Sequence, residues 1–201
     1  MRKALWGVVA ASLLSPWAAD MSRVYQPYVE QGERELEYGA TLRDLGGEEL
    51  LLQRVGVGYA WNDKLYTEVY LLNEVVDHQG ETLRGYELEA KWQITEQGEY
   101  WADWGLLFEA GGARDIDRRE LAVALLWAKE VGSRWVASAN AFVEYEYGDA
   151  VEAEVETALR AQFRYRYSAA IEPALETYLD DQDWAAGPAF MGIQKLGGRK
   201  Q

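Results

Sequence analysis

The only histidine of the chain, His78, is the first residue to examine for chemistry. It follows Asp77, and a histidine supported by an acid is the base that activates a serine nucleophile. Ser133, Ser138 and Ser168 are the serines of the strand-rich region that follows, and all of them lie far from His78 along the chain. We therefore interpret His78 as a solvated loop residue and predict that the protein is not an enzyme.

Three aspartates near the end of the chain point to a second kind of chemistry. Asp180, Asp181 and Asp183 carry carboxylate oxygens, which are the ligands that Ca²⁺ prefers. Their spacing lacks the central glycine and the closing glutamate of a calcium-binding loop. We therefore predict an acidic loop over residues 180–184 and no metal or cofactor. The chain has no cysteine, which excludes disulfides and zinc–thiolate sites.

Charged residues that alternate with apolar ones form the largest set of chemically active side chains. The pattern is clearest in residues 152–167, where Leu159 and Phe163 are separated by Arg160, Gln162 and similar polar residues. Such sustained alternation indicates a β-strand, because successive side chains of a strand point to opposite faces. Residues 134–147 alternate in the same way, so the two segments predict an antiparallel hairpin.

The rest of the chain repeats this unit of strand and turn. Predicted strands cover residues 33–43, 50–61, 65–73, 82–94, 101–112, 120–129, 134–147, 152–167, 169–179 and 187–195. Loops are predicted at residues 44–49 and 75–81. Residues 120–129 are rich in Ala and Leu and would also fit a helix, but their neighbours favour a strand. We predict one all-β domain over residues 20–201, an antiparallel up-and-down meander of about ten strands that closes as a barrel.

The first 19 residues have a different character from this domain. Arg2 and Lys3 precede an apolar run over residues 4–14, and small residues then lead to Ala19. This is the pattern of a secretory signal peptide, and the run is too short to span a bilayer as a helix. We expect an exported protein whose mature chain begins near Asp20. The net charge of −14 argues against a nucleic-acid partner, since nucleic-acid binding requires a basic surface.

The alternation does not reveal which face of the strands is buried. In a soluble periplasmic or secreted β-protein, the apolar residues would form the core, and that core could bind a small ligand. In a membrane barrel the apolar residues face lipid and the polar residues fill the lumen. The predicted strands favour the membrane arrangement, because a tilted strand crosses a bilayer with about 9–11 residues.

Aromatic residues beside alternate turns also favour the membrane arrangement. They flank the second, fourth, sixth and eighth connections, which are the shorter ones and lie on one side of an up-and-down meander. In bacterial barrels, aromatic girdles mark the membrane interface and short turns face the periplasm. The candidate interface residues are Trp61, Trp92, Trp101, Trp127, Trp135, Tyr165 and Tyr167.

Under the membrane interpretation, the charged faces point into a narrow lumen. The charges could pair among themselves, since a buried charge without a partner costs about 3–5 kcal/mol. They could instead line a cation-preferring passage, because glutamates are in surplus. We favour the self-paired network. Its candidate residues are Glu37, Glu87, Glu89, Glu109, Glu144, Glu156, Glu172, Glu176, Lys91, Arg160, Arg164 and Arg166.

Two stretches carry a family resemblance. Residues 28–37 (YVEQGERELE) and 187–192 (GPAFMG) resemble uncharacterised exported barrel proteins of proteobacteria, and the mature chain resembles the transmembrane β-barrels of Gram-negative outer membranes. The resemblance implies location in the outer membrane, contact with its lipid and insertion by the barrel-assembly machinery. Such barrels end on an aromatic residue, whereas this sequence ends in a basic, glycine-rich tail. We therefore expect either a truncated sequence or a different closure of the barrel.

Overall fold

The computed structural model describes residues 23–44, 49–76, 80–168, 170–181 and 184–191. All ten predicted strands are present in these residues. Their bounds are β1 Arg34–Asp44, β2 Glu49–Ala60, β3 Leu65–Val76, β4 Gly80–Gln93, β5 Asp103–Ala113, β6 Arg119–Val131, β7 Trp135–Tyr147, β8 Glu154–Tyr165, β9 Glu172–Asp180 and β10 Trp184–Met191. The predicted signal peptide, His78 and Asp183 lie outside the described residues. Within the described residues, no helix is long and apolar enough to cross a membrane.

The ten strands form one sheet in chain order. Each strand pairs in antiparallel fashion with the strands before and after it, which confirms the predicted meander. The sheet is an open half-barrel, and the described parts of β1 and β10 do not pair with each other. The predicted closure of the barrel is therefore not seen.

Two predicted loops are shorter than expected. β3 continues to Val76 and β4 already begins at Gly80, so most of predicted loop 75–81 belongs to strands. Asp180 ends β9 and Trp184 begins β10, which contradicts an acidic loop over residues 180–184 and a tenth strand that starts only at residue 187. Trp184 pairs with Leu179, so the alternation of the last hairpin resumes directly after a tight turn. Residues 120–129 belong to β6, which pairs along its length with both neighbours, and the helical alternative is thus wrong.

Large apolar side chains lie on the convex face of the sheet, and polar or small side chains lie on the concave face. On β7, Ser138 and Asn140 are buried, while Val143 and Tyr145 are exposed. The same division recurs on every strand, with apolar side chains such as Leu36, Val57, Val69, Leu88, Phe108, Val123, Leu159, Leu175 and Phe190 exposed to 40–58% of their surface. The sheet thus buries its polar face and exposes its apolar face.

Two glycines on β2 leave room for tyrosines on the concave face. A Cβ atom added at Gly56 would lie 2.3 Å from the ring of Tyr70, and one added at Gly58 would lie 1.8 Å from the hydroxyl of Tyr66. Both tyrosines are therefore packed flat against the wall of the sheet. Glycine is required here for close approach of a side chain, which is one of its recurring roles inside strands.

Candidate functional site

Residues 23–31, which we call the inner segment, cross the concave face of the sheet. The backbone N–H of Tyr25 donates to Oδ1 of Asn140 at 2.7 Å, and Nδ2 of Asn140 donates to the carbonyl oxygen of Tyr25 at 2.9 Å. The N–H of Val29 donates to Oε1 of Gln93 at 2.7 Å. A buried backbone needs partners for its polar groups, and in this segment side chains of the surrounding strands supply several of them.

Arg23 joins three glutamates that come from three different strands. Its guanidinium donates to Glu37 on β1, to Glu68 on β3 at 3.2 Å and to Glu89 on β4 at 3.1 Å. Arg54 on β2 also donates to Glu37. Arginine suits this position because its rigid fork of donors can serve several carboxylates at once. The inner segment thereby connects the first four strands of the sheet.

Aromatic rings complete the surroundings of Arg23. Its guanidinium carbon lies 4.4 Å from the ring centre of Tyr25 and 5.6 Å from that of Tyr70, within the range of cation–π attraction. Burial alone lowers the pKa of the Arg23 guanidinium, but the neighbouring groups, with Tyr25 and Glu89 foremost, raise it well above its ordinary value. Arg23 therefore keeps its charge at any ordinary pH.

Farther along the inner segment, packing replaces charge. The ring of Tyr25 joins a buried apolar cluster with Leu107, Leu126 and Phe142, and the Tyr25 and Phe142 ring centres are 6.3 Å apart. A Cβ atom added at Gly105 would lie 2.9 Å from Cβ of Pro27, so this glycine allows the segment to approach the wall. The segment fills the space on the concave side of β5 to β7.

The last anchor of the inner segment is Tyr28. Its hydroxyl donates to Oδ2 of Asp103 at 2.8 Å. Burial, followed by this hydrogen bond and the charge of Asp103, raises the pKa of Tyr28 well above its ordinary value. The hydroxyl therefore remains a donor at any ordinary pH.

One group of three carboxylates could hold a metal ion. Glu87, Glu89 and Glu109 can place one oxygen each within 4.8 Å of one another. Both oxygens of Glu89 already have partners, because the hydroxyl of Tyr25 donates to one at 2.6 Å and Arg23 donates to the other. The Arg23 guanidinium is thus the cation that this region of the wall holds.

The structure brings most of the predicted lumen residues to the concave face as separate pairs. Arg160 lies 3.3 Å from Glu144, and Arg164 lies 3.1 Å from Glu172. The remaining contacts are Gln162 to Glu176 at 2.6 Å, Tyr178 to Glu176 at 2.7 Å, and Lys91 to the ring centre of Tyr66 at 5.0 Å. Two predicted members stand apart from the buried groups: Glu156 is exposed, and Arg166 pairs with Glu130 at 2.6 Å beyond the end of β8.

The centre of the network includes residues that sequence reasoning did not select. Glu68 and Tyr70 are buried, but the faces of β3 could not be assigned, because tyrosines lie inward there and a threonine and an asparagine lie outward. Arg54 and Asn140 lie on predicted polar faces, and their alternation was a usable signal. Arg23 gave no signal, because the segment before β1 has no periodicity.

The acidic end of the chain has a structural partner of its own. The carboxylate of Asp181 accepts hydrogen bonds from the N–H of Thr157 at 3.0 Å and from its hydroxyl at 2.7 Å. These bonds hold the pKa of Asp181 below its usual range. They link the turn after β9 to β8, in agreement with the prediction that the aspartates do not form a calcium loop.

Comparison with models of known protein families gives no match, and neither a curated protein nor a solved structure matches the chain.

The predicted girdle residues lie at one edge of the sheet. Five are exposed, while Trp127 and Tyr165 are half-buried. Trp127 lies 6.3 Å from the ring of Trp101, and Tyr165 lies 4.7 Å from the ring of Trp135. The opposite edge carries aromatics that the prediction omitted, namely the stacked pair Tyr145–Tyr147 and the exposed Trp184. The apolar convex face is therefore bordered by aromatic side chains at both ends.

Proposed function

We propose that the protein is an outer-membrane β-barrel whose lumen is filled by its own charged side chains and by the inner segment. Its role is structural or related to transport, and it is not catalytic. The observation that carries this proposal is the inverted partition of the sheet, with apolar side chains exposed on the convex face and ion pairs buried on the concave face.

The exposed apolar face is too extensive for a monomer in water. The largest apolar patch on a typical soluble protein covers about 300–600 Å², and larger ones mark interaction surfaces. Here the exposed apolar residues continue across all ten strands, from Leu36 on β1 to Phe190 on β10. Lipid hydrocarbon is the partner that can cover such a surface from all sides. Aromatic side chains at both edges of the face suit the two membrane–water interfaces.

Closure belongs to the same proposal. An open sheet edge does not occur in lipid, because its backbone polar groups would have no partners. We propose that β1 and β10 meet in the membrane, with the barrel-assembly machinery guiding insertion. The soluble alternative, a β-protein that binds a ligand in an apolar core, is disfavoured by the ionic concave face.

Neighbouring substitutions on β8 test the proposal. Leu159 is 46% exposed on the convex face, so Leu159→Arg should cost about 2–4 kcal/mol of stability if this face meets hydrocarbon. The same change on a wet surface should cost less than about 0.5 kcal/mol. The measurement is reversible unfolding of the reconstituted protein in urea.

Arg160→Leu is the control for this experiment. It removes the partner of Glu144 on the concave face and should cost about 1–3 kcal/mol whichever solvent covers the convex face. A near-zero effect of Leu159→Arg, together with protein that stays soluble without detergent, would contradict the membrane proposal.

A further inference from the structure

The chain places a cation of its own in the most acidic part of the lumen. Glu37, Glu68 and Glu89 converge on Arg23, and Glu87 and Glu109 lie beside Glu89. We propose that the inner segment is a displaceable seal, and that the lumen beneath it is a cation-selective passage for small inorganic cations. This inference rests on the proposed membrane barrel and assigns a cargo class to its lumen.

The first argument is the balance of charge around Arg23. Glu68 is 1% exposed, and while its Oε2 accepts from Arg23, its Oε1 has no hydrogen-bond partner. A buried carboxylate oxygen without a partner is costly, so the site can accept more positive charge than Arg23 supplies. The concave face thus retains affinity for cations with the seal in place.

The second argument is what remains when the seal leaves. Without Arg23, the five glutamates face only Arg54 and Lys91 among the basic residues described in this part of the lumen. Rings of acidic side chains select cations in channels, because anions are repelled from the low-dielectric pore. Removal of Arg23 therefore changes a neutralised lumen into one that favours cations.

The third argument is the way in which the inner segment is attached. It belongs to no strand, and its backbone is held by the side chains of Asn140 and Gln93. It joins β1 through Gly32, whose φ of +76° belongs to the left-handed region that glycine adopts without strain. A Cβ at Gly32 would meet no atom within 4 Å. Rotation at this open position moves the segment and leaves the pairing of all ten strands intact.

The experiment compares the wild-type protein with the double variant Arg23→Gln/Asn140→Ala in planar bilayers. These two changes remove the charge that neutralises the glutamates and the clamp on Tyr25. The wild type should conduct little. The double variant should conduct several-fold more, with a reversal potential in a KCl gradient whose sign indicates preference for K⁺ over Cl⁻.

Arg118→Gln is the matched control. It removes the same charge from a partly buried ion pair, with Glu146 at 2.7 Å, that does not involve the inner segment. This control should conduct as little as the wild type. Equal conductance of the control and the double variant would overturn the role of the seal.

Flotation with lipid vesicles is measured in parallel to separate the two proposals. A wild type that does not float with lipid contradicts the membrane barrel itself. Variants that float but stay silent, or that prefer Cl⁻, overturn the cation passage and leave the barrel standing. The single variants Arg23→Gln and Asn140→Ala are tested alongside, so that loss of folding in the double variant still leaves a result: silent single variants that float overturn the seal.

Discussion

At the scale of single residues, the alternation located charged groups but not their partners. Glu37 and Glu89 were placed correctly on the polar face of their strands, because each lies between outward apolar neighbours. Their common partner, Arg23, lies 14 residues from Glu37 and 66 residues from Glu89 along the chain. No local pattern reports a contact over such distances, since it depends on the path of the chain across the sheet.

The contact between Gly58 and Tyr66 gives a prediction at this scale. Gly58→Ala would push Tyr66 away from Glu35 and Glu68, to which its hydroxyl is within 2.9 and 3.0 Å. Overpacking of this kind costs about 1–3 kcal/mol. Equilibrium unfolding should therefore show a clear loss of stability.

Gly187→Ala is the control for Gly58→Ala. Gly187 also lies within a strand, but a Cβ atom there would meet nothing within 4 Å. This change should alter stability by less than about 0.5 kcal/mol. Equal effects of the two substitutions would show that loss of glycine itself, rather than displacement of Tyr66, determines the cost.

At the scale of elements, strand existence was predictable and strand ends were not. Period two is a local property, so all ten strands could be read from the sequence. β10 was placed too late because Asp180, Asp181 and Asp183 suggested a longer loop than the hairpin uses. A tight turn needs only a few polar residues, and composition does not distinguish it from the start of a long loop.

The two edges of the sheet give a prediction about orientation. The even-numbered connections, such as the turn that contains Ser133, should face the periplasm, and the connection near Gly46 should face outward. The chain has no cysteine, so single cysteines at these positions report location without background. On intact cells, a membrane-impermeant thiol reagent should label the cysteine at residue 46 and not the one at residue 133. The opposite pattern would reverse the orientation.

At the scale of the whole molecule, the sequence left two arrangements open because both produce the same alternation. The structure distinguishes them physically: the concave face holds ion pairs and the inner segment, and the convex face holds the large apolar residues. Occupation of the lumen by residues 23–31 could not be predicted, since extended segments without periodicity carry no signal for where they lie. The described strands leave the sheet open, so the closed barrel remains part of our proposal.

The most direct test of the account is a nitroxide scan of β8 in lipid, with single cysteines placed one by one at residues 155–164. Oxygen concentrates in hydrocarbon, and a polar nickel chelate stays in water. Labels at Leu159, Ala161 and Phe163 should be accessible to oxygen and shielded from nickel, while labels at Arg160 and Gln162 should be shielded from both. Access of the nickel chelate to the Leu159 and Phe163 labels would contradict the claim that the convex face meets lipid.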